Sequence, residues 1–139
     1  MFQYQLKTHM PGTIYQGHYF FIQSKGLHSG KPLKEPYPNC FICQCNSEQQ
    51  KEQLFWLLFS LWQGRKFHEV LVGSVIPFIR KRDLTNMIQL GLQKTTQAPE
   101  QFEKTVETLQ ILNKQELNYL NLSNQISQLK IVMINKLLA

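Results

Sequence analysis

Acidic residues are scarce in this chain, and so are long apolar runs, paired cysteines and the usual catalytic signatures. The 139 residues hold 9 Asp and Glu against 15 Lys and Arg. Only Glu35, Glu48, Glu52, Glu69 and Asp83 precede residue 99, and none has the spacing of a nuclease or glycosidase pair. No run of about 18 uninterrupted apolar residues exists, so no stretch reads as a membrane span. Met1 to Lys7 lacks a positive start followed by an apolar block, so no signal peptide is read there. Three cysteines make an odd number for a secreted disulfide framework, which points to a reducing cytoplasm. His68-Glu69 is a lone dyad rather than a two-His helical zinc motif, and neither a Ser-centred elbow nor a Gly-rich dinucleotide turn occurs. The expectation is a binding protein without chemistry, cofactor or metal.

What is present is enough for a core. Apolar residues make up 42% and aromatics 12%, which excludes wholesale disorder. The net charge of +6 is placed unevenly. Residues 1–98 hold 11 of the 15 basic and 5 of the 9 acidic residues, while the remainder is neutral. The excess therefore sits on the first part. A phosphate backbone complements such a surface, because released counterions drive binding. Ordinary solubility charge accounts for +6 equally well.

Along the chain, Phe2, Tyr4 and Leu6 alternate with polar residues as in a half-buried strand. Met10-Pro11-Gly12 marks a turn. Ile14 to Gln23 is aromatic and β-rich, a second strand, with Gly17 as a candidate bulge. Ser24 to Pro38 reads as a flexible basic loop carrying Lys25, His28, Lys31 and Lys34. Its Ser29-Gly30-Lys31 lacks the rest of a phosphate-loop pattern. Cys40 to Cys45 forms a third strand, on which Cys40 faces away from Cys43 and Cys45. Three thiols divided between two faces do not make a zinc site, so they read as small core residues with inert thiols.

The central stretch runs from Ser47 to Met87. Leu54 to Trp62 is apolar at almost every step and reads as a helix buried on most sides. Asn46 or Ser47 caps its start, and Gly64 stands where a left-handed C-terminal residue is wanted. Trp56, Phe59 and Trp62 read as core. Val70 to Val75 is extended, and Pro77 makes the segment an edge strand or loop. Asp83 or Thr85 opens another short helical turn.

Leu54 to Phe67, Gly73-Ser74-Val75-Ile76-Pro77, Arg80 to Leu84, Ile88 to Leu92 and Ala98 to Leu138 together have the order of parts of a known family. The chain resembles a single target-recognition domain plus conserved helix of type I restriction–modification specificity subunits. The likeness covers about the last two thirds. It implies a buried helix, a Gly-Ser-x-Ile-Pro segment, a basic turn, a short strand over 88–92 and a long helix. The front third looks like a family of small uncharacterised bacterial proteins.

Thr95 to Pro99 marks a change of character, and Pro99 suits the first position of a helix. Beyond it Phe102, Val106, Leu109, Leu112, Tyr119, Leu122, Ile126, Leu129, Met133 and Leu137 recur every three or four residues. One continuous helix would need a partner helix along its seam. A break near Asn113, giving a hairpin, is the other reading.

The fold expected is therefore α+β: a small mixed sheet with a buried helix over 1–97, then a long helix over 98–139. The function expected is a DNA-binding module in the cytoplasm, contacting duplex DNA through Lys25, Lys31, Lys34, Arg65, Lys66, Arg80, Lys81 and Arg82. Those residues position phosphates first. Leu109, Leu112, Tyr119, Leu122, Ile126, Leu129, Met133 and Leu137 would join two copies as a homodimer. The alternative is a protein-interaction module that reads no DNA and docks through the helix on a methyltransferase or restriction subunit.

Overall fold

The computed structural model describes residues 3–139. Phe2, assigned above to the first strand, lies outside them. Two compact units are present, one ending at Gln97 and the other beginning at Ala98.

The first unit is an antiparallel sheet covered by helices. Its strands are β1 (Tyr4–Thr8), β2 (His18–Gln23), β3 (Pro32–Leu33) and β4 (Cys40–Cys45), in the order β1-β4-β2-β3. The α+β class is as expected, and within the sheet every pairing is antiparallel rather than mixed. β2 begins at His18 rather than Ile14, so Gly17 precedes the strand instead of bulging it.

The two-residue period of strands sorts the side chains. Leu6, Phe20, Ile22, Phe41 and Cys43 pack on one face with Leu54, Leu58, Phe67, Ile79, Leu84 and Ile88. Phe21, Cys40 and Ile42 pack on the other with Tyr15, Tyr19 and Leu33. Cys40 thus faces away from Cys43, as the alternation requires.

Helix α1 (Glu48–Gln63) starts where the Ser47 hydroxyl accepts from the Gln50 amide. Such a cap contributes about 1 kcal/mol. Only Leu54, Leu57 and Leu58 are fully buried on it, so this helix has a buried stripe rather than the all-round burial expected. Phe55, Trp56, Phe59 and Trp62 form a half-buried ladder of edge-on rings along its flank. Gly64 ends the helix at φ −78°, and the left-handed residue is its neighbour Arg65, at φ +57°. That assignment is corrected by one position.

A 3-10 turn at Lys66–Val70 follows. The extended segment expected over 70–75 is reduced to a single bridge between Val72 and Phe78. Helix α2 (Lys81–Gln97) absorbs Ile88 to Leu92, which the family likeness implied to be a strand. Leu84, Ile88 and Gly91 recur at helical spacing and are its buried residues. Gly91 has a packing reason, since a Cβ there would lie 2.9 Å from Leu57 Cδ1. Glycine lets α1 and α2 close on each other.

The second unit is one uninterrupted helix, α3 (Pro99–Leu138), 40 residues long with Pro99 at its start. At 1.5 Å per residue it spans about 60 Å. The break near Asn113 does not occur. None of its residues is fully buried. No helix among the described residues is long and apolar enough to cross a membrane.

Candidate functional site

Two places in the first unit gather chemically useful side chains, and they lie at opposite ends of β2. At the Gln23 end is the loop from Ser24 to Lys31. Gln23, just before the loop, closes it by binding its far end: its amide donates to the Lys31 carbonyl at 3.0 Å, and its carbonyl accepts from the Gly30 amide at 2.8 Å. The Gly26 amide donates to the Pro77 carbonyl at 2.7 Å, and Ile79 donates to Ser24 at 3.0 Å. Ser29 is 1% exposed, its hydroxyl donating to the Gly26 carbonyl at 2.6 Å. The segment expected to be a flexible loop, Ser24 to Pro38, is therefore pinned from Ser24 to Lys31, and the short strand β3 (Pro32–Leu33) lies within it.

That anchoring presents a basic and aromatic corner. Lys31 Nζ stands 4.8 Å from the Trp62 ring centroid, a cation–π contact. The Trp62 indole donates to His28 Nδ1 at 3.4 Å, and the two rings meet edge to face. Trp62, read above as core, thus carries polar partners on its outer side. His68 Nε2 meets the Leu27 carbonyl at 3.2 Å. Arg65 and Lys66 follow Trp62 at the end of α1 and are exposed. Lys25 pairs through its backbone with Phe78, and Lys34 follows the edge strand β3. Leu27, Val75 and Ile76 are exposed apolar residues of the same two segments.

The remaining basic candidates are placed differently. Arg80 Nε donates to Asp83 Oδ2 at 2.6 Å, so part of its charge is already matched. Lys81 lines a groove at the Cys45 end of the sheet. β2 separates that groove from Lys31 by about 17 Å at 3.3 Å per residue. Lys31 and Lys81 do not share one small patch. Among the described residues, Lys25, Lys31, Lys34, Arg65, Lys66, Lys81 and Arg82 make no ion pair.

The groove itself, of about 1000 Å³, was missed in the sequence. It is lined by Tyr4, His18, Cys45 and Lys81 and by several side-chain amides, Gln5 and Gln44 among them. Tyr4, Cys45 and His18 form one row across the sheet, each opposite the next. His18 Nδ1 meets Glu48 Oε2 at 2.9 Å, and Lys51 Nζ donates to Glu48 Oε1 at 3.0 Å. Both bonds hold the Glu48 carboxyl below its usual range, Lys51 contributing most. The Cys43 thiol, hydrogen-bonded to Cys45 and buried, is pushed far up. Cys45 moves the other way, stabilised as thiolate by the Cys43 thiol and, less strongly, by Lys51. Burial and the Glu48 charge oppose that shift without reversing it. Period-two spacing already separated Cys45 from Cys40, but only the β2–β4 register brings His18 opposite it. No three His, Cys, Asp or Glu side chains among the described residues are grouped to hold a metal ion.

Residues 6–136 match a family described as a family of unknown function, DUF6943. The chain belongs to that family. The match runs from β1 almost to the end of α3, so both units of this DUF6943 chain fall within it. It accords with the likeness of the front third to a small uncharacterised family, and it says nothing of type I specificity subunits. No curated protein and no solved structure matches the chain.

Proposed function

We propose that this DUF6943 chain is a cytoplasmic DNA-binding module, joined to a second copy through α3. The observation that carries the reading is the basic corner: Lys31 over Trp62, with Lys25, Arg65 and Lys66 close in the chain and all without a carboxylate partner among the described residues. A rigid loop holds these charges in place before a ligand arrives, which lowers the ordering cost of binding. Phosphate contacts come first, and Trp62 and His28 offer flat surfaces beside them. Lys34 directly follows β3, which pairs with Phe21 and Ile22 of β2. Arg80, Lys81 and Arg82 contribute general attraction rather than the corner's geometry. The likeness to a type I recognition domain supports the same reading, with two copies standing in for two recognition halves.

The dimer part rests on α3. Fourteen large apolar side chains, from Ile111 to Leu138, are exposed on it. Leu112, Tyr119, Ile126 and Met133 are spaced by seven, as are Leu122 and Leu129, which is a coiled-coil seam. Its charges are segregated. Glu100, Glu103, Glu107 and Glu116 stand with Lys104 and Lys114 in the first half, whereas the second half carries only Lys130 and Lys136. Two antiparallel copies set opposite charges against each other, and two parallel copies set like against like.

Titration of a fluorescent random duplex tests the first part. The affinity should fall steeply with salt, and Lys25→Ala with Lys31→Ala should reduce the log–log slope by about 2. Absence of binding at low salt overturns it. The same α3 surface favours a second reading, in which the helix docks on a methyltransferase or restriction partner and no DNA is read. A monomer in sedimentation that binds no duplex points there.

A further inference from the structure

The turn from Gly73 to Phe78 carries an apolar tip that phosphate contacts leave unused. Val72 and Phe78 exchange both backbone bonds, at 3.0 and 2.9 Å, and close the turn at its base. Phe78 also bridges Lys25, and on that side the Gly26 amide donates to the Pro77 carbonyl at 2.7 Å. Gly73 is what lets the chain turn so tightly. Its φ is +104°, and a Cβ there would stand 2.6 Å from the Ile76 carbonyl oxygen. The backbone of the tip is thus held from two sides, while its side chains are left in water. Val75 is 90% exposed and Ile76 62%. Continuing the antiparallel Lys25–Phe78 register places Leu27, 65% exposed, beside Ile76. Aliphatic groups gathered on a rigid, protruding tip mark an interaction surface.

The charges around the tip select its occupant. Lys25 lies at its base, Arg80 and Arg82 follow Phe78 closely in the chain, and His68 meets the Leu27 carbonyl at 3.2 Å. Of the two acids in these segments, Asp83 is bonded to Arg80, and Glu69 stands next to His68. A second copy of this basic unit would set like charge against like. A lipid surface needs more apolar area than three aliphatic side chains supply, since even a whole acyl chain holds only marginally. Between two base pairs, by contrast, one or two aliphatic side chains fill the gap, and phosphates on either side meet the flanking cations.

We propose that Val75 and Ile76 form a wedge that enters between base pairs of bound duplex, unstacking one step and bending the DNA there. The inference rests on the DNA-binding reading and adds to it a contact that carries no charge. Because the stack has to open, such a wedge favours sites where stacking is already weak. The pinned backbone keeps the tip from folding back when it is pressed against the bases.

The probe is a pair of fluorescent duplexes of one sequence, one fully matched and one with a single central mismatch, titrated with the full chain at low salt. The mismatched duplex should bind about tenfold tighter, because its stack is already loosened at that step. Val75→Ser with Ile76→Ser should remove the preference, and with it the bend read by energy transfer between dyes at the duplex ends. The log–log salt slope of this variant should match the wild type, because no cation is lost. Both side chains are exposed, so the variant should melt with the wild type. Equal affinity for the two duplexes, or a preference that survives the double substitution, overturns the wedge and leaves DNA binding standing. Absence of binding to either duplex removes DNA binding, and the wedge with it. Binding to phosphatidylcholine–phosphatidylserine vesicles that the variant loses, with no preference between duplexes, overturns the proposal in favour of a membrane surface.

Discussion

Gly30 backs onto the face of Phe67 so closely that a Cβ at that position would stand 2.2 Å from Phe67 Cδ2. Its φ of +95° is also one that L residues rarely adopt. Phe67 is 1% exposed and belongs to the main core, so the loop bearing Lys31 rests directly on that core. Gly30→Ala therefore combines backbone strain with overpacking, each worth about 1–3 kcal/mol. Gly17 is the control: its φ is +88°, but nothing lies within 4 Å of its Cβ position. Urea unfolding should show Gly30→Ala destabilised by about 3 kcal/mol or more, and Gly17→Ala by about 1. Equal losses would show that Phe67 yields freely and that the loop is not anchored as described.

Arg65 gives a second, opposite expectation. It occupies the left-handed region at φ +57°, immediately after a glycine that does not need to. A side chain there costs about 1 kcal/mol relative to glycine. Local rules broken without structural gain tend to mark function, and Arg65 makes no ion pair among the described residues. Arg65→Gly should raise stability by about 0.5–1 kcal/mol while weakening duplex binding. A variant that is more stable and binds unchanged removes Arg65 from the corner.

Glu48 sets a pH dependence. Bonds from Lys51 and His18 hold its carboxyl below the usual range in the folded chain. A group whose acid form is disfavoured by folding stabilises the fold above its unfolded pKa. That contribution is lost as pH falls through the folded value. Melting of the wild-type chain and of Glu48→Gln should differ at pH 7, wild type being higher, and converge toward pH 3. The carboxylate is fully solvent-exposed, so the difference at pH 7 is small. A gap that widens toward acid pH reverses the sign and with it the assignment of Glu48 as the anionic partner.

How far these features could be read beforehand depends on the range of the contacts behind them. The Ser47 cap and the faces of Cys40 and Cys43 follow from neighbours a few residues away, and both are as read. Ile88 to Leu92 was implied to be a strand by a family likeness, although Leu84, Ile88 and Gly91 already carried helical spacing. The loop read over Ser24 to Pro38 looked flexible because Gly26, Gly30, Pro32, Pro36 and Pro38 signal breaks. Its rigidity comes from Pro77 and Phe67, roughly 40 to 50 positions away. Arg65 could not be foreseen, since a glycine precedes it and glycine is the residue that usually turns left-handed. The groove needed His18, Cys45 and Glu48 together, with 30 positions between the histidine and the carboxylate. On α3 the seam residues were visible, but Leu117, Leu120, Ile131 and Ile134 lie outside that stripe and are exposed as well.

Those extra residues sharpen what α3 should do. A helix 40 residues long with no buried side chain leaves a large apolar area in water, at about 25 cal/mol per Å². Sedimentation equilibrium should therefore give at least twice the 16.4 kDa chain mass, and Leu122→Asp with Leu129→Asp should return it to one chain. Orientation is read from charge. In antiparallel copies, Lys130→Glu with Lys136→Glu places acid against the Glu-rich first half, and association should weaken. Adding Glu103→Lys and Glu107→Lys should restore it, because both signs are then exchanged. In parallel copies the same four changes only swap one like-charged contact for another, so neither the loss nor the recovery occurs. Salt separates the two further. Antiparallel association should weaken as salt screens attraction, and parallel association should strengthen as it screens repulsion.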